Sequence, residues 1–262
     1  MRTALPQFQL WIRAHARMHF VMNSRDILRT VASLSAFASI ALPAMSQEAP
    51  SRIAWAPSYS GSCIDCSLVG RNMSGWNISK ANYPGADLTS ANLRNVQAHD
   101  ANFDGVQAVG ADLRLSDFSG ASFSEAILIG SRLQGASFNG SKMAGIVLTG
   151  ADISGGKFIG ATLTGAQFQS STVHGADFSA ANLVLAELSA ADLTGSVFDN
   201  AIMTNVDLRG ANVTDVSFRD ARLAGAVFEG SIGIETASFE GACGSEASAL
   251  PSGLELPDCG EP

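Results

Sequence analysis

A large apolar residue recurs at every fifth position through most of the chain. In the stretch ADFSAANLVLAELSAADLTG, residues 176–195, these positions are Phe178, Leu183, Leu188 and Leu193. The register continues without a slip from Leu68 to Phe228 over 33 consecutive units, and 23 of them carry Leu or Phe at the apolar position. An α-helix has a period of about 3.6 and a β-strand a period of about 2, so a period of five indicates a repeat architecture.

The residues around each apolar position are also restricted. If the apolar residue is position 0, position −2 is Ala, Ser or Gly in 25 of the 33 units, and position +2 is Gly in 19. The small residues predict that position −2 also points inward, where little more than a methyl group fits. The glycines predict a corner at position +2 whose backbone has a positive φ.

A second period, of twenty residues, links every fourth unit. Six phenylalanines have this spacing, namely Phe118, Phe138, Phe158, Phe178, Phe198 and Phe218. The neighbouring column, which runs from Leu113 through Val173 to Val213, contains no aromatic residue. Such columns are expected if four units complete one coil and residues twenty apart lie above one another. A column of stacked rings beside aliphatic columns can fill a narrow core at constant width.

The units ADLTS, ANLRN, ADLRL and ADLTG closely match the consensus A(D/N)LXX, and the sequence therefore resembles the pentapeptide-repeat family over residues 66–230. The resemblance implies an all-β fold, a right-handed quadrilateral β-helix of about eight coils. With coils about 4.8 Å apart, such a rod is about 40 Å long.

The two ends of the repeat predict the domain boundaries. We expect a linker and N-terminal cap at 47–65, the β-helix at 66–241 and an acidic C-terminal cap or tail at 242–262, because the open ends of stacked coils need covering. Gly233 and Ser238 fit the register poorly, and one inserted residue restores Ile234 and Phe239. We therefore predict a one-residue bulge in Ser231–Gly233.

The first 46 residues have a different composition. MNSRDILR at 22–29 precedes the apolar run TVASLSAFASIALP, and the small residues Ala44 and Ser46 suit a signal peptidase. We interpret residues 22–46 as a secretory signal that is cut before Gln47, with translation starting at Met1, Met18 or Met22. A membrane anchor is the alternative, but the run is short and rich in Ala and Ser. The sequence thus predicts a periplasmic or secreted protein with no stable membrane span after cleavage.

The mature chain contains four cysteines, Cys63, Cys66, Cys243 and Cys259, and an even number in an exported protein favours disulfides. A CxxC motif such as Cys63–Cys66 is also compatible with a redox pair or half of a metal site. The other two cysteines lie beyond the far end of the rod, so we predict the pairs Cys63–Cys66 and Cys243–Cys259 and no metal site.

Catalytic chemistry is not indicated. His99 and His174 each follow an apolar position by one residue and should point outward, and most aspartates stand at position −1 as the repeat dictates. No pattern combines a nucleophile, a base and an orienting acid. We predict a non-enzymatic protein with no cofactor.

Charge separates the possible functions. Some members of the resembling family are acidic rods that mimic DNA and bind type II topoisomerases. A 40 Å duplex carries about 23 negative charges, whereas the repeat region has 15 acids and 10 bases. Its four sides, counted from the one that contains Leu68, have net charges of −3, 0, −2 and 0, and the second carries Arg71, Arg94, Arg114 and Arg132.

These charges make nucleic-acid mimicry the less favoured hypothesis. The favoured one is an exported binding or scaffolding rod with an unidentified macromolecular partner, most simply a protein, and with self-association through the rod ends as a further possibility. The alternative is a DNA-mimic inhibitor or protector of a type II topoisomerase.

Overall fold

The computed structural model describes residues 61–260, which form a continuous four-sided coil and a C-terminal segment that covers its last turn. The predicted signal peptide at 1–46 and most of the predicted cap at 47–65 lie outside the described residues. Within residues 61–260 there is no helix, and so none that could cross a membrane. The β structure consists of isolated parallel bridges between residues twenty apart, from Ser62↔Asn82 to Asn212↔Ile232. The predicted all-β, quadrilateral coil is confirmed.

Every unit repeats the same backbone hydrogen bonds. Leu88 N donates to Gln107 O of the next coil at 2.6 Å, and Asp87 N donates to Cys66 O of the preceding coil at 2.9 Å. Ala91 N donates to Leu88 O at 2.9 Å and closes the corner. Because these bonds mostly join neighbouring coils, stability is expected to depend on nearest-neighbour contacts along the rod.

The corners have the left-handed backbone that the glycines predict. Position +2 has a positive φ in every unit from Asp65 to Gly230, at 19 glycines and 15 other residues. None of the 15 is β-branched, as expected for a conformation that crowds the Cβ atom. Leu115 and Leu185 both have φ 60 there, and their side chains are 58% and 57% exposed.

We expect Leu185→Gly to stabilise the protein by about 0.5–1 kcal/mol, because the left-handed strain it removes exceeds the added chain entropy. Little burial is lost, since Leu185 is mostly exposed. Val184→Gly, one residue earlier, changes a position without a positive φ and should destabilise instead. Urea unfolding measures both variants, and a loss of stability in Leu185→Gly would contradict the strain.

The position 0 residues form four buried columns inside the coil. From Phe118 to Phe218 successive rings stack with centroids 4.7–5.5 Å apart and planes within 18° of parallel. Phe239 continues the stack above Phe218 at 5.1 Å. The structure therefore places all six phenylalanines of the predicted column in one continuous pile.

A second, shorter aromatic stack lies on the adjacent side. Tyr83, Phe103 and Phe123 stack with centroids 5.6 and 4.8 Å apart. Phe118 meets Phe103 and Phe123 edge-on, at interplanar angles of 85° and 86°. The longer column has no ring at Ala98, one coil below Phe118. Because the shorter stack overlaps the longer one in height, Phe103 and Tyr83 continue the aromatic packing toward the N-terminal end.

Small position 0 residues are compensated within their own units. Ala98 and Ala108 are the only small ones between Leu68 and Phe228, and the residues two before them are Val96 and Val106. Both valines are fully buried. Volume lost at position 0 is thus restored at position −2, which keeps the core filled.

The coil begins one unit earlier than the predicted boundary at residue 66. Cys63 occupies position 0 and is buried, and Ser62 already pairs with Asn82. At the other end, the pairing distance rises from twenty residues at Asn212↔Ile232 to twenty-one at Ser217↔Ser238. The extra residue therefore lies after Gly233.

The prediction of a bulge within Ser231–Gly233 is therefore wrong. The inserted residue lies in the turn that follows this segment, at 234–236. Val213 N still donates to Ile232 O at 2.8 Å, so Gly233 remains in register above Val213. Gly233 has φ +82, and an added Cβ would collide with Thr214. Glycine thus lets the chain keep its register for one further unit.

The C-terminal segment covers part of the last coil. A second extra residue precedes Val227↔Ala249, where the pairing distance reaches twenty-two. The chain then returns, so that Gly244 N donates to Pro257 O at 2.8 Å and Cys259 N donates to Gly244 O at 2.9 Å. Leu250 and Leu256 pack against the core. These contacts describe a cap over the last coil.

Candidate interaction sides

Each side of the coil presents two rows of outward residues, at positions −1 and +1. We name the sides after their first unit as the Leu68, Met73, Ile78 and Tyr83 sides; the Met73 side, for example, contains residues 71–75, 91–95 and so on every twenty residues. Neighbours within a row are twenty residues apart in sequence and one coil apart in space.

Aspartate or asparagine at position −1 has a structural task. Its side-chain oxygen accepts a hydrogen bond from the backbone N–H of position +1 in thirteen units, for example from Thr89 N to Asp87 Oδ1 at 3.0 Å. The amide of position +1 is the one amide in each unit that does not donate to a backbone carbonyl in the regular pattern. The frequent acids of the repeat are therefore explained by local satisfaction of the backbone.

An exposed apolar patch interrupts the polar rows of the Leu68 side. Val109 and Ile129 are 39% and 42% exposed and stand one coil apart in the +1 row. Ile127 and Val147, half-buried and bridged to each other, occupy the −1 row beside them. We call these four residues the Ile129 patch.

Polar and small residues surround the Ile129 patch. Gln107 lies in the coil of Val109, the coil before it carries Asp87 and Thr89, and Gln167 and Gln169 lie one coil after Val147. The adjoining corner carries Gly110, Gly130 and Gly150. The rim also contains two acids, Asp87 and the exposed Glu125, which stands two residues before Ile127. An apolar centre with a polar rim is the composition of a protein-binding surface.

The Met73 side has an ion-pair cluster around Asp112. The Asp112 side chain is 10% exposed and lies 2.6 Å from Arg114 Nη2 and 3.3 Å from Arg132 Nη2. The hydrogen bond from the Arg114 guanidinium lowers the pKa of Asp112, against an opposing effect of burial. Asp112 therefore holds both arginines against the coil.

Charge along the Met73 side changes sign halfway up the coil. Its lower units, through residue 135, carry four bases and one acid, namely Arg71, Arg94, Arg114, Arg132 and Asp112. Its upper units, from residue 151 to 235, carry four acids and no Lys or Arg, namely Asp152, Asp192, Asp215 and Glu235. The net charge summed over the whole side does not reveal this separation.

The structure places the four cysteines at the two ends. Cys63 is paired with Cys66 and Cys243 with Cys259, with Cα atoms 5.4 and 4.7 Å apart, within the range of disulfides. The first pair ties the first coil across one corner, and the second ties the C-terminal segment to the last coil. Within residues 61–260, no group of His, Cys, Asp or Glu is arranged to hold a metal ion.

Both predicted outward histidines lie on the surface. His174 Nε2 is 2.6 Å from Asp192 Oδ2, and both side chains are more than two-fifths exposed. The neighbouring Thr194 hydroxyl donates to Asp192, at 2.6 Å, rather than to the imidazole. His174 and Asp192 therefore form a hydrogen-bonded pair on the surface, with no hydroxyl bonded to the imidazole.

A comparison with protein families decides the relationship. The family model "Pentapeptide repeats" matches the chain in eight copies over residues 72–106, 109–145, 146–183 and 181–220. The chain belongs to the pentapeptide-repeat family. A search of curated proteins gave no match.

Two solved structures of pentapeptide-repeat proteins are similar to this chain. Full-length QnrB1, a plasmid-mediated fluoroquinolone resistance protein, is 18% identical with a TM-score of 0.50, and the match covers 72% of this chain and 94% of QnrB1. HetL from the cyanobacterium Nostoc sp. strain PCC 7120, involved in heterocyst differentiation regulation, is 23% identical with a TM-score of 0.35, over 71% and 90%. Membership of this family confirms the right-handed quadrilateral β-helix.

The family consensus describes the interior and the backbone caps, so it does not reveal the two candidate surfaces. The Ile129 patch stands in rows where the pentapeptide repeat is usually polar, and it becomes visible only when −1 and +1 residues are compared at a spacing of twenty. The charge separation on the Met73 side requires the same comparison, made coil by coil.

Asp112→Asn tests the ion-pair cluster through its pH dependence. Asparagine can still accept the Arg114 N–H, so the variant removes mainly the charge. Because the folded pKa of Asp112 is lowered, its carboxylate stabilises the fold above the ordinary aspartate pKa, and this contribution is lost as pH falls through the folded pKa. We expect a lower unfolding free energy than wild type at pH 7 and a smaller difference at about pH 2.5.

The control for Asp112→Asn is Asp87→Asn. Asp87 accepts the same type of backbone bond, and the lowering of its pKa comes from Thr89 instead of an arginine. We expect a smaller loss at pH 7 in this variant, measured by urea unfolding at both pH values. Equal losses in the two variants would contradict a stabilising role for the arginines.

Proposed function

We propose that the mature protein is a non-enzymatic rod that binds or scaffolds another protein in the periplasm or outside the cell. The signal-like residues 22–46 support export. The two cysteine pairs also support it, since disulfides persist in oxidising compartments.

The Ile129 patch is the observation that carries the binding role. A coil of this kind folds with polar residues in its outward rows, as most of its units show, so the fold does not require Val109, Ile127, Ile129 and Val147 at the surface. Aliphatic residues that stand together on the surface of adjacent coils favour burial against a partner. Their polar rim, with three glutamines, has the composition of a rim around a protein-binding surface.

The chemistry of the described residues supports a non-enzymatic role. Residues 61–260 contain no grouping suited to a metal ion, and the exposed His174–Asp192 pair has no hydroxyl bonded to its imidazole. A cavity of about 710 Å³ among them is an open groove between residues 231–239 and 251–254. Apart from Glu235, its lining is apolar or small, without the converging polar groups of a catalytic pocket.

A topoisomerase inhibitor or protector is the second candidate function. Membership of a family in which some proteins mimic DNA favours it, and the likeness of this chain to QnrB1 is a likeness of fold. The sides of this chain argue against it, because thirteen Asp or Asn side chains turn toward their own backbone and the Met73 side carries four arginines.

Site-specific photo-crosslinking in living cells of the source organism tests the binding role. A photoreactive phenylalanine analogue replaces Ile129 in one variant and Ile159 in a matched control. Ile159 is 41% exposed, occupies the same +1 position and also precedes a corner glycine, but it lies on the Ile78 side. We expect a discrete cross-linked protein from position 129 in the envelope fraction and none from position 159.

Three results would contradict the proposal. Absence of any product at position 129, or identical products at both positions, would remove the evidence for a specific binding patch. A cross-link to a type II topoisomerase, together with inhibition of supercoiling by the purified protein, would establish the alternative.

A further inference from the structure

The separated charges of the Met73 side give it a positive lower half and a negative upper half. The lower half has a net charge of +3 and the upper half, through Glu235, a net charge of −4. Arg132 and Asp192 are 54% and 41% exposed, so charged groups of both halves reach solvent. We infer that this side binds the same side of a second copy, with the two rods antiparallel.

The positions of the charges match this arrangement. Consider a twofold axis that runs across the side, perpendicular to the rod and midway between the coils of Arg132 and Asp152. This axis places each residue of one copy opposite a residue of the second copy that is in the same row, equally far from the axis but in the other half of its own rod. Arg132 of one copy then faces Asp152 of the second, and both stand in the −1 row. Each contact occurs twice, as a twofold interface requires.

A second pair of charges satisfies the same axis. The coil of Arg94 lies two coils below that of Arg132, and the coil of Asp192 lies two coils above that of Asp152. Arg94 of one copy therefore lies at the same height along the rod as Asp192 of the second copy. The two residues are one row apart, which is within the reach of a long arginine side chain. Two matched pairs on one side of the axis give four opposite-charge contacts in the dimer.

Existing internal bonds prepare the charged groups for this contact. Asp192 is held by Thr194 and His174, and Asp152 by Ser154 and Gln134 at 2.6 Å each. Arg132 is held by Asp112. Side chains that are already ordered lose less conformational entropy on association.

The Tyr83 side offers a competing arrangement. Its acids Asp65, Asp104 and Glu125 lie in the lower half and its bases Lys142 and Arg222 in the upper half. Parallel packing of a Met73 side on a Tyr83 side would match these signs but would leave a further side open on each rod, giving growing arrays. The antiparallel pairing closes at two copies, which is the arrangement inferred here, and it does not depend on export.

Two opposite charge variants of the full chain test the dimer. Arg94→Glu with Arg132→Glu makes both halves of the Met73 side negative and leaves Arg114 to neutralise Asp112. A second variant combines Asp152→Asn, Asp192→Asn, Asp215→Lys and Glu235→Lys, which makes both halves positive. The asparagines preserve the backbone caps, and Lys80 already occupies a corner like that of Asp215.

Sedimentation equilibrium gives the outcome. We expect a wild-type dimer at low salt that dissociates toward monomer at high salt. Each variant alone should raise the dissociation constant by about tenfold or more, while an equimolar mixture of the two should restore dimers. The control Lys142→Glu with Arg222→Glu makes the same change in net charge on the Tyr83 side and should leave the wild-type dimer intact.

A wild-type chain that remains monomeric at low salt overturns the inference. Dimers that persist in both charge variants overturn it as well, since association would then use another surface. Association that is lost in the Tyr83-side control, with assemblies that grow with concentration, would establish the parallel array in its place.

Discussion

Replacing Phe178 with alanine is expected to lower the free energy of unfolding by about 3–5 kcal/mol. The Phe178 ring is fully buried, stacks between Phe158 and Phe198 at 4.7 and 4.8 Å, and meets Phe168 edge-on at 5.9 Å. Hydrogen bonds to the coils above and below hold each side of the coil in place, so the walls cannot close over the missing ring. Urea unfolding monitored by circular dichroism measures the loss.

Phe178→Leu is the matched variant for this prediction. Leucine occupies position 0 in many other units, so the backbone accepts it, and we expect a loss of about 1–2 kcal/mol. The difference between the two variants isolates the volume of the ring. A loss below about 1 kcal/mol in the alanine variant would mean that the core collapses around the gap, against the rigid width described above.

Removing the Cys243–Cys259 disulfide should have the second largest effect, confined to the C-terminal end. The cysteines are 16 residues apart in sequence, and closing a loop of this size stabilises by about 3 kcal/mol in the chain-entropy model. In a Cys243→Ser, Cys259→Ser variant, the returning segment should detach from Gly244. Hydrogen exchange should then accelerate at the amides of Gly244 and Cys259, which donate within the cap.

Protection in the middle of the rod should persist in this variant, because each coil contacts only its neighbours. Amides such as Phe178 N, bonded to Val197 O at 2.7 Å, serve as the internal reference. The comparison variant is Cys63→Ser, Cys66→Ser, whose cysteines are only three residues apart, so less chain entropy is involved. Accelerated exchange spread evenly over all coils would refute a local role for the C-terminal disulfide.

The architecture follows from the sequence because its two periods correspond directly to geometry. A period of five gives the side of a coil, and the spacing of twenty that links Phe118 to Phe218 gives the coil itself. Glycine at position +2 indicated the left-handed corner, and the structure extends this conformation to residues such as Leu185. Repetition makes such inferences strong, since every unit samples the same backbone environment.

Features that depend on contacts between individual neighbouring residues were harder to predict from the sequence. The inserted residue of the last coil could be counted from the sequence, but its corner depends on how Gly233 fits over Thr214. The small Ala98 at position 0 is compensated by the larger Val96 at position −2 of the same unit, and the repeat consensus does not record such a local compensation of volume. The Ile129 patch and the polarity of the Met73 side arise between coils, where residues twenty apart become neighbours.

The hydrogen bond from position −1 to the +1 amide has a consequence for how this molecule can diverge. Asp87 and Asn92 perform the same task in successive units, with bonds of 3.0 and 3.1 Å. A carboxylate and a carboxamide are thus interchangeable there as far as the backbone is concerned, while they differ by a full unit of charge. The electrostatic potential of a side can therefore be retuned in single steps during evolution, with the shape of the scaffold held constant.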